Sequence, residues 1–288
     1  MAGAASETPT AHPSDNMRAR ARAGSPVARL RRISWSPALL LLGLVFLVAL
    51  FAPLLLGDRA FRVDLNAMLE PPSAAYPLGT DENGRDVLAR LLWGARATIG
   101  IGLGGAALAV VIGVALGAAA GYCGGWIDGT AMRVVDFALA FPSLFVILLF
   151  SAVFNTGVPQ LIVLIGLTGW MTVARLTRGV VRSLATSPFV ESAQAIGASD
   201  VRIAVRHVLP NATSVLLIAS LSQLNRAILT EATISFLGMG VKPPEPTWGN
   251  LLIGAQDYLW SAPWLAVVPG VAITATLLAI FTLGDHRR

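Results

Sequence analysis

Residues 189–211 read FVESAQAIGASDVRIAVRHVLPN, a polar, arginine-bearing stretch between two long apolar runs. The order is helix, glycine break, helix, proline. Ser187-Pro188 opens the first piece, because proline fits the first helical turn, where its missing N–H is not needed. Gly197 falls where a helix ends in a left-handed residue. Ser199 is placed to cap the second piece, and Pro210 to end it. The reading is of two short helices at right angles, held between membrane spans on their arginine-rich side. Such a knob suits docking of a partner on the cytoplasmic face, from which the membrane part receives energy or a signal.

Working outward, composition sets the class. Apolar residues make up 55% of the 288-residue chain and charged residues 13%, with mean hydropathy +0.69. Soluble domains carry about a quarter charged residues. Six segments are apolar enough to span, at 37–56, 97–120, 134–154, 158–176, 212–237 and 262–283. The expected fold is all-α, a polytopic membrane helix bundle with a short helical cytoplasmic loop. The first segment follows Arg29, Arg31 and Arg32 but exceeds the about 7–15 residues of a signal core, so it is expected to be a retained span. Residues 1–36 read as a disordered cytoplasmic tail. Residues 37–96 hold the first span and an outer loop, 97–284 the main transmembrane domain with its loop at 187–211, and 285–288 a cytoplasmic end.

Orientation follows from the basic residues. Arg18, Arg20, Arg22, Arg29, Arg31 and Arg32 precede the first span, Arg175, Arg178, Arg182, Arg202 and Arg206 lie between the fourth and fifth, and Arg287 and Arg288 end the chain. With six spans they share one side, which the positive-inside rule makes cytoplasmic. The net charge of +5 is thereby explained by membrane orientation rather than by nucleic acid.

Thr80-Asp-Glu-Asn-Gly-Arg-Asp86 leads into Val87, Leu88, Leu91, Leu92 and Ala95 at helical spacing. This predicts a short amphipathic helix on the outer interface, with Arg85, Asp86 and Arg90 off its apolar stripe. Trp93, Trp126, Trp248, Trp260 and Trp264 are expected as interface anchors. Gly113 and Gly117 form a small-xxx-small pair suited to close packing within the bundle. Cys123 is the single cysteine, and His12, His207 and His286 are far apart, so no metal-ligand pattern exists.

Several motifs then carry a resemblance. Glu191-Ser192-Ala193, with Gly197 and Leu209-Pro210, resembles the EAA loop of permease subunits of bacterial ABC importers, in the dipeptide/oligopeptide/nickel group. Leu78-Gly79-Thr80-Asp81, Gly84-Arg85-Asp86-Val87-Leu88 and Gly94-Ala95-Arg96 resemble that group's outer segment. So do Ala120-Gly121-Tyr122, Gly124-Gly125-Trp126-Ile127-Asp128, Met132-Arg133 with Asp136, Glu231-Ala232 with Ser235-Phe236-Leu237-Gly238, and Pro243-Pro244 with Trp248-Gly249. Ser192 stands where the motif has alanine, and His207 where it has an apolar residue. The chain stops soon after Gly284-Asp285, where relatives continue through a short Arg/Asp/Pro-containing tail, which places late C-terminal contacts in question.

The resemblance implies a subunit that pairs with a homologous but distinct permease. It implies two cytoplasmic ATPase subunits docked on the loops, and an extracytoplasmic binding protein that delivers solute. Members of the group carry dipeptides, longer peptides, nickel complexes or sugars. Coupling to the ATPase is expected from Phe189, Glu191, Ser192, Ala193, Ile196, Gly197, Val201, Leu209 and Pro210. No catalytic residue, metal or cofactor is expected in this chain, with ATP and Mg held by the partner ATPases. A P-loop needs Gly-Lys-Ser/Thr, and the only lysine, Lys242, precedes Pro243.

Two other classes are weighed: a membrane scaffold, which leaves the broken loop unexplained, and an ion-gradient-driven secondary transporter. The latter places ionisable groups deep in the bundle and often has internal repeats. Only Arg226 and Glu231 lie deep, and no repeat is evident. Both are candidates for the substrate path, with Arg226 positioned to attract a substrate carboxylate; the alternative is that each pairs with a neighbouring helix or reaches water.

Overall fold

The computed structural model describes residues 37–154 and 157–285. The expected N-terminal tail and residues 286–288 lie outside the described residues. Helix α1 (Pro37–Leu56) is an almost unbroken aliphatic run, so only its backbone polar groups need partners, and the helix supplies them internally. It packs on α2 and α9, through Ala49 among others.

Helix α2 (Val87–Cys123) has 37 residues and is capped by Asp86, whose carboxylate accepts from the backbone N–H groups of Leu88 and Ala89. At about 1.5 Å per residue it is far longer than the about 30 Å hydrocarbon layer. This corrects the separate amphipathic helix expected before residue 97: residues 87–96 are the N-terminal turns of α2 itself. Their apolar stripe is partly covered by protein, with Val87 and Ala95 buried and Leu88, Leu91 and Leu92 half-buried. Arg90 is buried as well, against the expectation that it stays off the packed face; its Nε lies 3.5 Å from Asp81 Oδ2.

Beyond a glycine pair, α3 (Gly125–Leu139) and α4 (Ser143–Val153) replace the single span expected at 134–154, with a 68° bend between them. Pro142 explains the break, since proline has no N–H to continue the helix and biases the residue before it away from helical geometry. Helix α5 (Val158–Ala185) runs past the expected 176. It packs along α2 from Gly104 against Ile162 to Gly121 against Arg178. A Cβ on Gly113 would sit 2.7 Å from the Trp170 carbonyl, and one on Gly117 2.4 Å from that of Ala174. The small-residue pair thus packs inside the bundle, as expected.

After α6 (Pro188–Ala195) and α7 (Asp200–Ile203) the helix continues through a π turn, Ala204–Val208, into α8 (Leu209–Phe236). Pro210 therefore does not stop the second piece. Leu209 N–H bonds the Ala204 carbonyl five residues back, and the widened turn accommodates the proline ring and its missing donor. Residues 237–263 lead to α9 (Trp264–Asp285) and pack on the N-terminal part of α2. In that segment Trp248 corrects another expectation. It is buried, its Nε1 donates to Leu91 O at 2.9 Å, and its N–H donates to Thr98 Oγ1 at 3.0 Å, so it pins the segment to α2 rather than anchoring in the interface. Trp126 and Trp260 are exposed, whereas Trp264 is half-buried, its Nε1 donating to Thr80 O at 3.1 Å.

Candidate functional site

Ser187 occupies the N-cap position and Pro188 the first turn of α6, which places the Glu191 carboxylate near the positive end of the helix. Ser192 Oγ donates to Pro188 O at 2.9 Å. Gly197 has φ +79°, and open space surrounds the place where its Cβ would be. Glycine is needed there for backbone conformation and not for room, a strain of about 1–2 kcal/mol for other residues. Ser199 takes the N-cap position of α7, but its side chain makes no capping bond, which corrects that expectation.

The segment has two faces. Val190, Ala193, Ile203 and Val208 are buried against Val181 of α5, flanked by Tyr122, Leu184 and Leu209. Ala193 and Leu209, expected to touch a partner, thus face the chain's own core. Phe189, Ile196 and Val201 are exposed, Ile196 at 86% and Val201 at 74%. Glu191, Ser192, Gly197 and Pro210 are exposed too. Val205, missed in the sequence, adds to the apolar surface at 60% exposure. It stands four residues after Val201, the helical spacing that would have found it.

The buttress beneath these faces was also missed. Tyr122 Oη, at the C-terminal end of α2, donates to Asp200 Oδ1 at 3.0 Å. Asp128 of α3 accepts a fork from Arg178 of α5, with Nη2 at 2.6 Å from Oδ2, and Arg182 reaches the same oxygen at 3.2 Å. Arg175 pairs with Asp136. The basic residues read as an orientation signal therefore also clamp α3 to α5. Asp128 is only 11% exposed at its side chain, so its fork is worth more than a solvated pair.

The two deep charges separate. Arg226 is exposed on α8, and among the described residues no carboxylate pairs with it. Glu231 is fully buried, with Oε1 accepting from Ser235 Oγ at 2.7 Å. The surroundings of its carboxyl include Thr98 of α2 and Thr247 of the segment at residues 237–263.

Residues 109–286 match the model of the binding-protein-dependent transport system inner membrane component. The chain belongs to that family. It is similar to the dipeptide transport system permease protein of Alkalihalophilus pseudofirmus, 34% identical over 84% of this chain and 80% of the relative. It is 35% identical to the glutathione transport system permease protein of Pectobacterium atrosepticum, over 87% of this chain and 82% of the relative. It is 34% identical to the oligopeptide transport system permease protein of Bacillus subtilis, over 87% of this chain and 82% of the relative. The permease is thus a multi-pass inner-membrane component of an ABC import complex, which also comprises an ATPase and a binding protein. Nothing supports the gradient-driven alternative.

Proposed function

We propose that this chain is one of two homologous but distinct permease subunits in an ATP-driven importer of peptides, which a binding protein delivers at the outer face. The relatives named for dipeptide, oligopeptide and glutathione transport support the solute class. The observation that carries the coupling role is the two-faced segment at residues 187–211: its inner face is locked to α2 and α5, and its other face presents Ile196, Val201 and Val205, with Phe189 partly covered beside them. That surface enters a groove of the cytoplasmic ATPase, and closure of the ATPases around nucleotide pushes on α8. Both termini are cytoplasmic by the arginine distribution. The chain performs no catalysis and holds no cofactor; ATP and Mg belong to the ATPases.

The test is affinity purification of the permease from membranes that carry the full complex, followed by reconstitution into vesicles. The ATPase subunits and one second permease co-purify, and peptide uptake requires ATP and the binding protein. Recovery of the chain alone, with uptake driven by an ion gradient, would overturn the proposal.

A further inference from the structure

The surface of α8 that the rest of the chain leaves uncovered runs through Ser222, Arg226, Leu229, Thr230 and Thr233, of which Ser222, Arg226 and Leu229 are exposed and the two threonines half-buried. Spacings of three and four put them on one stripe. Arg226 lies about 15 Å from the outer end of α8 at about 1.5 Å per residue, so it stands near the middle of a hydrocarbon layer about 30 Å thick. An arginine at that depth is strongly disfavoured against lipid and faces water or a charged partner. Glu231, the nearest acid along α8, is buried on another face and held by Ser235.

The neighbouring hydroxyls add a second feature. Ser222 Oγ donates to Ile218 O at 2.9 Å and Thr233 Oγ1 to Leu229 O at 2.8 Å. Their protons are thus committed to the helix, and their oxygens are left to accept. One stripe therefore offers a cationic fork beside acceptor oxygens. A guanidinium binds a carboxylate through two parallel N–H···O bonds, and hydroxyl oxygens suit the N–H groups of a peptide.

The geometry points to Arg226 as a carboxylate-binding station halfway along the path, with Ser222 on one side or Thr233 on the other receiving peptide N–H groups according to which way the peptide runs, so that peptides with a free carboxyl terminus are favoured over blocked ones. This inference rests on the peptide-import reading above.

Its test uses the full complex in vesicles, with radiolabelled trialanine and trialanine C-terminal amide as probes, each normalised to its measured occupancy of the binding protein. The wild type takes up the acid faster than the amide. Arg226→Gln lowers acid uptake about tenfold, as expected for loss of a charge-assisted pair, changes amide uptake less than about twofold, and keeps ATP hydrolysis stimulated by the binding protein. Arg226→Lys, which keeps the charge but not the fork, falls between. Equal loss for acid and amide would mean that Arg226 pairs with an acid of the second permease, and unchanged uptake of both would mean that it lies off the path; either result overturns the assignment. A wild-type complex that transports neither probe fails at the earlier step and removes the peptide reading itself.

Discussion

Helices α1 and α8 are both poorly covered by the rest of the chain, with 11% and 17% of their apolar windows buried, yet they are opposites in composition. The span containing α1 has mean hydropathy 3.0, and that containing α8 has 1.3. Leu40, Leu44, Leu47, Leu50 and Leu54 make the bare surface of α1, whereas Ser222, Arg226 and the threonines interrupt that of α8. An uncovered aliphatic surface in a membrane is already solvated by lipid, but an uncovered arginine is not. Equal exposure thus marks two different neighbours. The helix whose bare side is wrong for lipid is also the one that grows directly out of the segment at residues 187–211.

The largest effect that would break this contrast is at the inner end of α8. Gly197→Asp puts a side chain on a residue at φ +79°. It is expected to leave the protein inserted while abolishing ATP-coupled uptake and reducing ATPase recovery more than about tenfold, since the left-handed turn presents the docking surface. Wild-type ATPase recovery and uptake in the Gly197→Asp, Glu191→Ala double variant would disconnect α8 from energy coupling. A polarity swap gives a smaller effect: Ser222→Leu on α8 is expected to reduce uptake several-fold, and Leu50→Ser on α1 to change it less than about twofold at equal membrane abundance. Equal losses would show that exposure alone, not chemistry, separates the two helices. The third prediction involves no loss of transport. With Cys123 replaced, a cysteine at Ser73 or Glu245 is expected to react with an impermeant thiol reagent in intact cells, and one at Ser187 is not. The reverse pattern would invert the ends of both helices.

The spans were legible because an apolar run of span length has few other uses, and α1 matches its expected limits at Pro37 and Leu56. Limits blurred where protein rather than lipid covers the helix. The outer turns of α2 looked like a surface helix because Arg90 and Asp86 are charged; only the fold brings Asp81 to Arg90 and Arg59 to Asp86, at 2.7 Å. In the segment at residues 187–211 the glycine turn was readable, since few residues accept a positive φ. Which of Ala193 and Ile196 faces inward was not, because that depends on Val181 and Ile203 closing over one side. The Asp128–Arg178 fork joins residues 50 apart in the chain, and no local pattern announces it.

The π turn at Ala204–Val208 also has a bearing on rotation. In an α-helix each residue advances about 100° around the axis, and a π turn accommodates one surplus residue without unwinding its flanks. The turn takes up that surplus locally, so residues downstream keep the azimuth they would have without it. The compass heading of Arg226 is therefore protected several turns earlier, beside Pro210, and forcing residues 204–208 into regular α winding without removing a residue would swing the whole stripe about 100° from its present bearing.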